Sequence, residues 1–228
     1  MITPAFIWLL TSHLSILFPI YLGFKLNINK WKTPLLVLII TAFFSCLYHW
    51  DDQENYNDEL IFLGTKHFVH KYMDYYGSYL SFLIIIFYTI NIDRKSKYFD
   101  FFLVLINILS VFLALVNISW YIFVCIVIFF ILYYLYIIDN CYLILMIIKT
   151  FWKNKLITIL TLCFFIIAMV MQYNLCFIHN DGFYYQLYHG FWHFFLFLAA
   201  GMCMIINKLL LNIIVEESIS KKIFCFEV

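Results

Sequence analysis

The chain has 228 residues, of which 66% are hydrophobic and 12% are charged, and its formal net charge is +1. A mean hydropathy of +0.95 excludes a soluble globular domain, because a domain of this size cannot hide so much apolar surface from water. The near-neutral charge gives no basis for a nucleic-acid partner. We therefore predict an all-α, multi-pass protein that is integral to a membrane.

Apolar runs of about 20 residues, the length that crosses a bilayer, recur along the whole chain. They lie at 5–24, 33–50, 68–91, 100–116, 119–137, 156–173 and 184–206. The pattern predicts a bundle of seven transmembrane helices within a single domain, 1–208. Residues 117–150 leave two alternatives open, one long span or a span followed by an interfacial helix. Residues 209–228 are amphipathic, which predicts a tail along the cytoplasmic membrane face.

Lysine and arginine are distributed unevenly between the predicted loops. Twelve of the fourteen follow spans one, three, five and seven, and only Lys66 and Lys71 follow span two. Because lysine and arginine accumulate in cytoplasmic loops, this distribution predicts an outside (or lumenal) N-terminus and a cytoplasmic C-terminus.

Polar residues stand at the ends of three spans. They are Ser45 and His49 in span two, Asp74 and Ser78 in span three, and His189 and His193 in span seven. With seven alternating spans, all three places fall at non-cytoplasmic ends and at similar depth. Ionisable groups within spans are expensive, so they indicate a functional site.

The stretch YHGFWH at 188–193 holds the most specific spacing of this set. His189 and His193 are four positions apart, so on a helix both imidazoles lie on one face and can bind one ion. His49 supplies a third imidazole. Three neutral imidazoles leave a tetrahedral zinc with a fourth position for water, as in catalytic zinc sites.

Ser45 and Asp74 complete the predicted site. Ser45 lies one helical turn before His49, where its hydroxyl could hold a water or an oxyanion. Asp74 could accept the proton of the attacking water as a general base. Since the site opens at the edge of the membrane, this set predicts a hydrolase of ester or amide bonds in lipids.

Each residue also has an interpretation without function. Asp74 alone could cap the start of its helix, and Ser45 alone could bond to its own backbone. Other histidines, taken singly, are expected to be interfacial polar residues: His13, His67, His70 and His179. The acidic residues after span two are expected to form a solvated loop face: Asp51, Glu54, Asp58 and Glu59.

The same motifs resemble those of the transmembrane protein 8 family, part of the CREST superfamily of seven-span membrane hydrolases. SCLYHWDDQ at 45–53 resembles S-x-x-Y-H-A-C-D-Q, MDYYGSYLS at 73–81 resembles D-x-x-G-S-x-x-S, and YHGFWH resembles H-S-x-W-H. The resemblance covers nearly the whole chain. One departure is Trp50-Asp51, which replaces the Ala-Cys of the family motif, so any role of that Cys is absent here.

The resemblance implies zinc ligands at His49, His189 and His193, and catalytic roles for Ser45 and Asp74. The family includes a GPI-anchor-specific phospholipase A2 and myomaker, a muscle-cell fusion protein. We therefore expect a zinc-dependent hydrolase of a lipid acyl bond at the non-cytoplasmic leaflet.

Two other functions are open at this point. The first alternative is a non-enzymatic membrane-remodelling or cell-fusion factor of the myomaker type, in which zinc only joins helices. A seven-span receptor is the weaker alternative, since nothing resembles a G-protein-coupling loop. The plasma membrane is the expected location, with the Golgi and the endoplasmic reticulum as alternatives, and a homodimer is left open.

Overall fold

A computed structural model describes most of the chain. The described ranges are 3–26, 31–53, 67–90, 98–116, 120–138, 141–172 and 182–226. Within them every regular element is a helix, as an all-α membrane protein requires. The helices are α1 (Pro4–Ser12), α2 (Leu17–Lys25), α3 (Lys32–Gln53), α4 (His67–Ile90), α5 (Tyr98–Val116), α6 (Trp120–Ile138), α7 (Cys141–Lys153), α8 (Lys155–Val170) and α9 (Gly182–Phe226), with a 3₁₀ turn at His13–Ile16 between α1 and α2.

Five helical segments of the described chain are long and apolar enough to cross a membrane. They coincide with predicted spans one to four and with span seven. A sixth span would be α7 and α8 together, although these two helices meet at an angle of 92°. Helix α6 occupies the place of predicted span five. The prediction of a helical membrane protein is thereby confirmed, while seven spans and their orientation stay predictions.

The region 117–150 divides into two helices. Helix α6 ends at Ile138 and α7 begins at Cys141, which favours a span followed by a separate helix over one long span. Helix α7 packs on the C-terminal half of α9, where Met146 lies in a cluster with Leu210 and Ile213.

Two ion pairs also join α7 to α9. Lys149 contacts Glu217, and Lys153 Nζ lies 3.5 Å from an oxygen of Glu216. Helix α9 continues without a break to Phe226, so the predicted boundary at 208/209 falls inside a single helix.

Helices α3 and α4 approach each other closely because small residues line their contact. Gly77 faces Thr41, and a methyl group on Gly77 would lie 2.6 Å from Thr41 Oγ1. Thr41 Oγ1 also lies 3.0 Å from Ser81 Oγ, a hydrogen bond between the two helices. Small residues of this kind let transmembrane helices meet without a gap. This contact sets the register that brings Ser45 opposite Asp74.

The end of α4 is joined to α9 by one buried amide. Asn207 Nδ2 donates to the backbone oxygens of Tyr88 (3.0 Å) and Thr89 (2.8 Å). These two carbonyls belong to the last turn of α4, where no intrahelical donor is available. Trp31 Nε1 donates to Asn207 Oδ1 at 3.3 Å. The amide therefore satisfies a helix terminus that water cannot reach.

The first span is not a continuous α-helix. The 3₁₀ turn at His13–Ile16 lies just before Pro19, which has no N–H to offer to Ser15 O and whose ring would clash with that carbonyl. The tighter turn absorbs this disturbance. As a result His13 sits at the junction where the helix changes geometry.

Candidate metal centre

Helices α3 and α9 bring the three predicted zinc ligands together. His49 Nε2 lies 3.1 Å from His189 Nε2 and 3.2 Å from His193 Nε2. All three side chains are buried. The placement follows from helix packing and from the four-residue spacing on α9.

The two spacings at His49 are compatible with ligands of one tetrahedral ion. Ligand nitrogens about 2.0–2.1 Å from a tetrahedral zinc lie about 3.3–3.4 Å from each other. The two nitrogen–nitrogen distances at His49 are close to this value. A nitrogen that faces two others can form at most one linear hydrogen bond, so a cation would satisfy this cluster better than protons do.

A partner outside the cluster fixes the orientation of His189. His189 Nδ1 lies 2.8 Å from Gln172 Oε1, which can only accept, so Nδ1 carries the proton. The lone pair of His189 Nε2 is therefore aimed at His49. Histidines that ligate metals typically donate their second ring N–H in this way. Gln172, just after α8, was not among the predicted site residues because nothing in its local sequence indicates the contact.

His13 supplies a fourth imidazole beside the first three, although the sequence interpretation made it an interfacial residue. His13 is only 4% exposed, and its ring centroid is 4.0 Å from that of His193. One ligand atom from each of His13, His49 and His193 lies within 4.8 Å of the others, so these three could also hold an ion. The interfacial interpretation of His13 is therefore wrong. Its place in the middle of an apolar span was the signal that could have identified it.

Ser45 and Asp74 face each other across the α3–α4 contact. The Asp74 carboxyl group is within interaction range of the Ser45 hydroxyl, and both side chains are buried. Ser45 Oγ and Asp74 Oδ1 have no hydrogen-bond partner among the described residues. Buried polar atoms are normally paired, so two facing oxygens without a well-formed hydrogen bond are typical of a place that receives a water or a ligand. Ser45 is one turn before His49, so the two side chains share a face of α3.

Asp51 and His70 form a second buried polar pair between α3 and α4. His70 Nδ1 contacts Asp51 Oδ2, and each side chain is 1% exposed. The interpretation of Asp51 as a solvated loop residue is wrong, since it is buried within α3, and His70, near the start of α4, is buried as well. Both are buried because α3 and α4 continue past the apolar runs and pack against each other. The remaining residues of those two predictions lie outside the described side chains: His67, His179, Glu54, Asp58 and Glu59.

The comparisons with known proteins bear on family but not on activity. No curated protein matches the chain significantly. One family model, described as Protein of unknown function (DUF3522), matches residues 2–194. That range contains all four clustered histidines as well as Ser45 and Asp74. Because the match covers most of the chain, the protein belongs to the DUF3522 family.

Proposed function

We propose that this protein is a zinc-dependent membrane hydrolase that cleaves an acyl ester or amide bond of a lipid at the non-cytoplasmic leaflet. The observation that carries the proposal is the meeting of the His49, His189 and His193 side chains, together with two buried oxygens that have no hydrogen-bond partner among the described residues, Ser45 Oγ on α3 and Asp74 Oδ1 on α4. The resemblance to the transmembrane protein 8 family points the same way. The five apolar helices of span length support a lipid as the substrate.

The residues present fit a zinc ion, since imidazole is a preferred zinc ligand and the two nitrogen spacings at His49 suit a tetrahedron. His49, His189 and His193 would hold it. Zinc, when bound, polarises a carbonyl and supplies a nucleophile at neutral pH.

Asp74 and Ser45 supply the proton transfer and the hydrogen bond that the reaction needs. Asp74 Oδ1, which has no partner in the described chain, accepts a proton from the attacking water. Ser45 Oγ donates a hydrogen bond to the oxygen that gains charge at the acyl carbon. Burial of both groups keeps bulk water out, so each hydrogen bond acts in a medium of low dielectric.

The test is lipid turnover by the purified protein after Asp74→Asn. Asn keeps the shape of the side chain and removes the base, so fatty-acid release, measured by mass spectrometry, should be lost while zinc content stays at the wild-type level. Ser45→Ala should lower the rate by about 10²–10³-fold, the usual effect of losing one oxyanion donor. Asp100→Asn, at an exposed carboxylate of α5, is the matched control and should leave turnover unchanged. Turnover that survives Asp74→Asn would overturn the proposal.

His13 favours a second candidate function. An ion held by four imidazoles has no position for water and would be structural. The protein would then be a non-enzymatic membrane-remodelling or fusion factor of the myomaker type. A cellular readout that survives Asp74→Asn but fails after His49→Ala would select this candidate.

The orientation underlies the choice of leaflet. The cation distribution predicts a cytoplasmic C-terminus. If the protein is at the cell surface, an epitope tag after Val228 should be detected by antibody only after permeabilisation. Detection in intact cells would move the site to the cytoplasmic leaflet.

A further inference from the structure

The tautomer of His13 is set by its own helix. His13 Nδ1 lies 2.9 Å from the backbone oxygen of Leu9, and a carbonyl oxygen only accepts, so Nδ1 carries the proton. The other nitrogen, Nε2, then presents a lone pair. It is buried and has no hydrogen-bond partner among the residues described. An ordinary core histidine would have both nitrogens satisfied.

That lone pair belongs to the imidazole cluster. The His13 ring lies 4.0 Å from the ring of His193 and 5.9 Å from that of His49, measured between centroids. The pattern of one nitrogen bonded to a backbone carbonyl and the other free is typical of a metal ligand. His189 likewise donates its Nδ1 proton, to Gln172 Oε1, and turns Nε2 towards His49.

The absence of a side chain at Gly190 lets span one come close to α9. A methyl group on Gly190 would lie 2.5 Å from Trp8 Nε1 and 3.2 Å from Leu9 Cα, so no other residue fits there without displacing α1. Trp8 Nε1 donates to Leu187 O at 3.2 Å across the same contact. A glycine between His189 and His193 therefore brings Leu9, and with it His13, against the two histidines of α9.

The ring nitrogen of His13 that faces the cluster is also the least constrained by hydrogen bonds. His13 Nε2 has no hydrogen-bond partner among the described residues, whereas the Nε2 atoms of His189 and His193 lie 3.1 Å and 3.2 Å from His49 Nε2. His13 begins the 3₁₀ turn, and such turns within a helix often mark hinges.

We infer that His13 is an exchangeable fourth ligand of the metal centre, bound in the resting protein and released when water or a substrate oxygen takes its place. The inference rests on the metal site of the proposed function but not on hydrolysis. It gives span one a direct part in controlling access to the ion.

The experiment uses the full-length protein loaded with cobalt(II), whose visible absorption reports its ligands, and titrates it with azide. If His13 occupies the fourth position in at least about nine-tenths of the molecules, it raises the apparent Kd for azide by at least about tenfold. His13→Ala and His13→Gln should therefore bind azide at least about tenfold more tightly than wild type. Thr11→Ala, an exposed position on the same segment, should behave like wild type.

A second pair of variants leaves His13 in place. Gly190→Ala should displace α1 and increase azide affinity, whereas Gly182→Ala, which meets nothing within 4 Å, should not. Equal azide affinity in wild type and in both His13 variants would overturn the inference and leave the proposed function intact. A wild-type protein that retains neither cobalt nor zinc would overturn both.

Discussion

The Nε2 atoms of His49 and His189 lie 3.1 Å apart, although 140 positions of sequence separate the two residues. His49 stands near the end of α3 and His189 near the start of α9, so the contact joins two helices that have no loop in common. An ion at this point would tie these helices together and stabilise the bundle as well as provide chemistry.

Removal of His189 should lower zinc content and stability together. A ligand that binds only the folded state stabilises it by about 2.7 kcal/mol at a concentration of 100 Kd. We expect His189→Ala to lose that stabilisation and to become insensitive to a zinc chelator, whereas the chelator should lower the melting temperature of wild type. Phe183→Ala, at an exposed residue near the same end of α9, is the control. A chelator that leaves the wild-type melting temperature unchanged would contradict this prediction.

Gln172 should affect the metal affinity of the site although it is not itself a ligand. Its Oε1 accepts the Nδ1 proton of His189, and loss of such a partner typically costs 10–100-fold in metal affinity. Gln172→Leu should therefore weaken zinc binding by about 10–100-fold in a competition assay with a fluorescent chelator. Gln186→Leu removes a glutamine that accepts from Thr3 instead and should leave the affinity unchanged. Equal effects of the two variants would refute a specific role for Gln172.

The pair formed by Asp51 and His70 should be a large contributor to stability. Removing one partner of a buried pair leaves the other uncompensated and costs roughly 3–5 kcal/mol. We expect His70→Leu to lower the free energy of unfolding in detergent by about this amount. The double variant Asp51→Leu with His70→Leu should recover much of the loss, because two apolar residues leave no unpaired charge. A double variant less stable than the single one would argue against this account.

Asn207 should be needed for folding rather than for chemistry. Replacement by Leu leaves the carbonyls of Tyr88 and Thr89 without their donor, and each buried unsatisfied group costs about 1–3 kcal/mol. Asn207→Leu should therefore lower the melting temperature markedly while the zinc content of the folded fraction stays normal. Asn107→Leu, at an exposed amide of α5 that donates to its own helix and accepts from Tyr76 Oη, provides the comparison and should have a smaller effect.

Local sequence determined the helical membrane class and the core of the candidate site. A single apolar run of bilayer length crosses the membrane as a helix, because a helix pairs its own N–H and C=O groups. The four-residue spacing places His189 and His193 on one face in any helix, whatever surrounds it. The break in the first span could likewise be expected from Pro19, whose effect is confined to its own chain segment.

Only the tertiary structure decided which polar groups meet. His13 joins the imidazole cluster because Gly190 lets α1 approach α9, and that approach depends on two side-chain surfaces far apart in sequence. Asp51 is buried because α4 covers it with His70, although the residues that follow it in sequence are polar. Burial and pairing are properties of the contact between two helices, and the sequence of one helix does not show which surface of another helix it will meet.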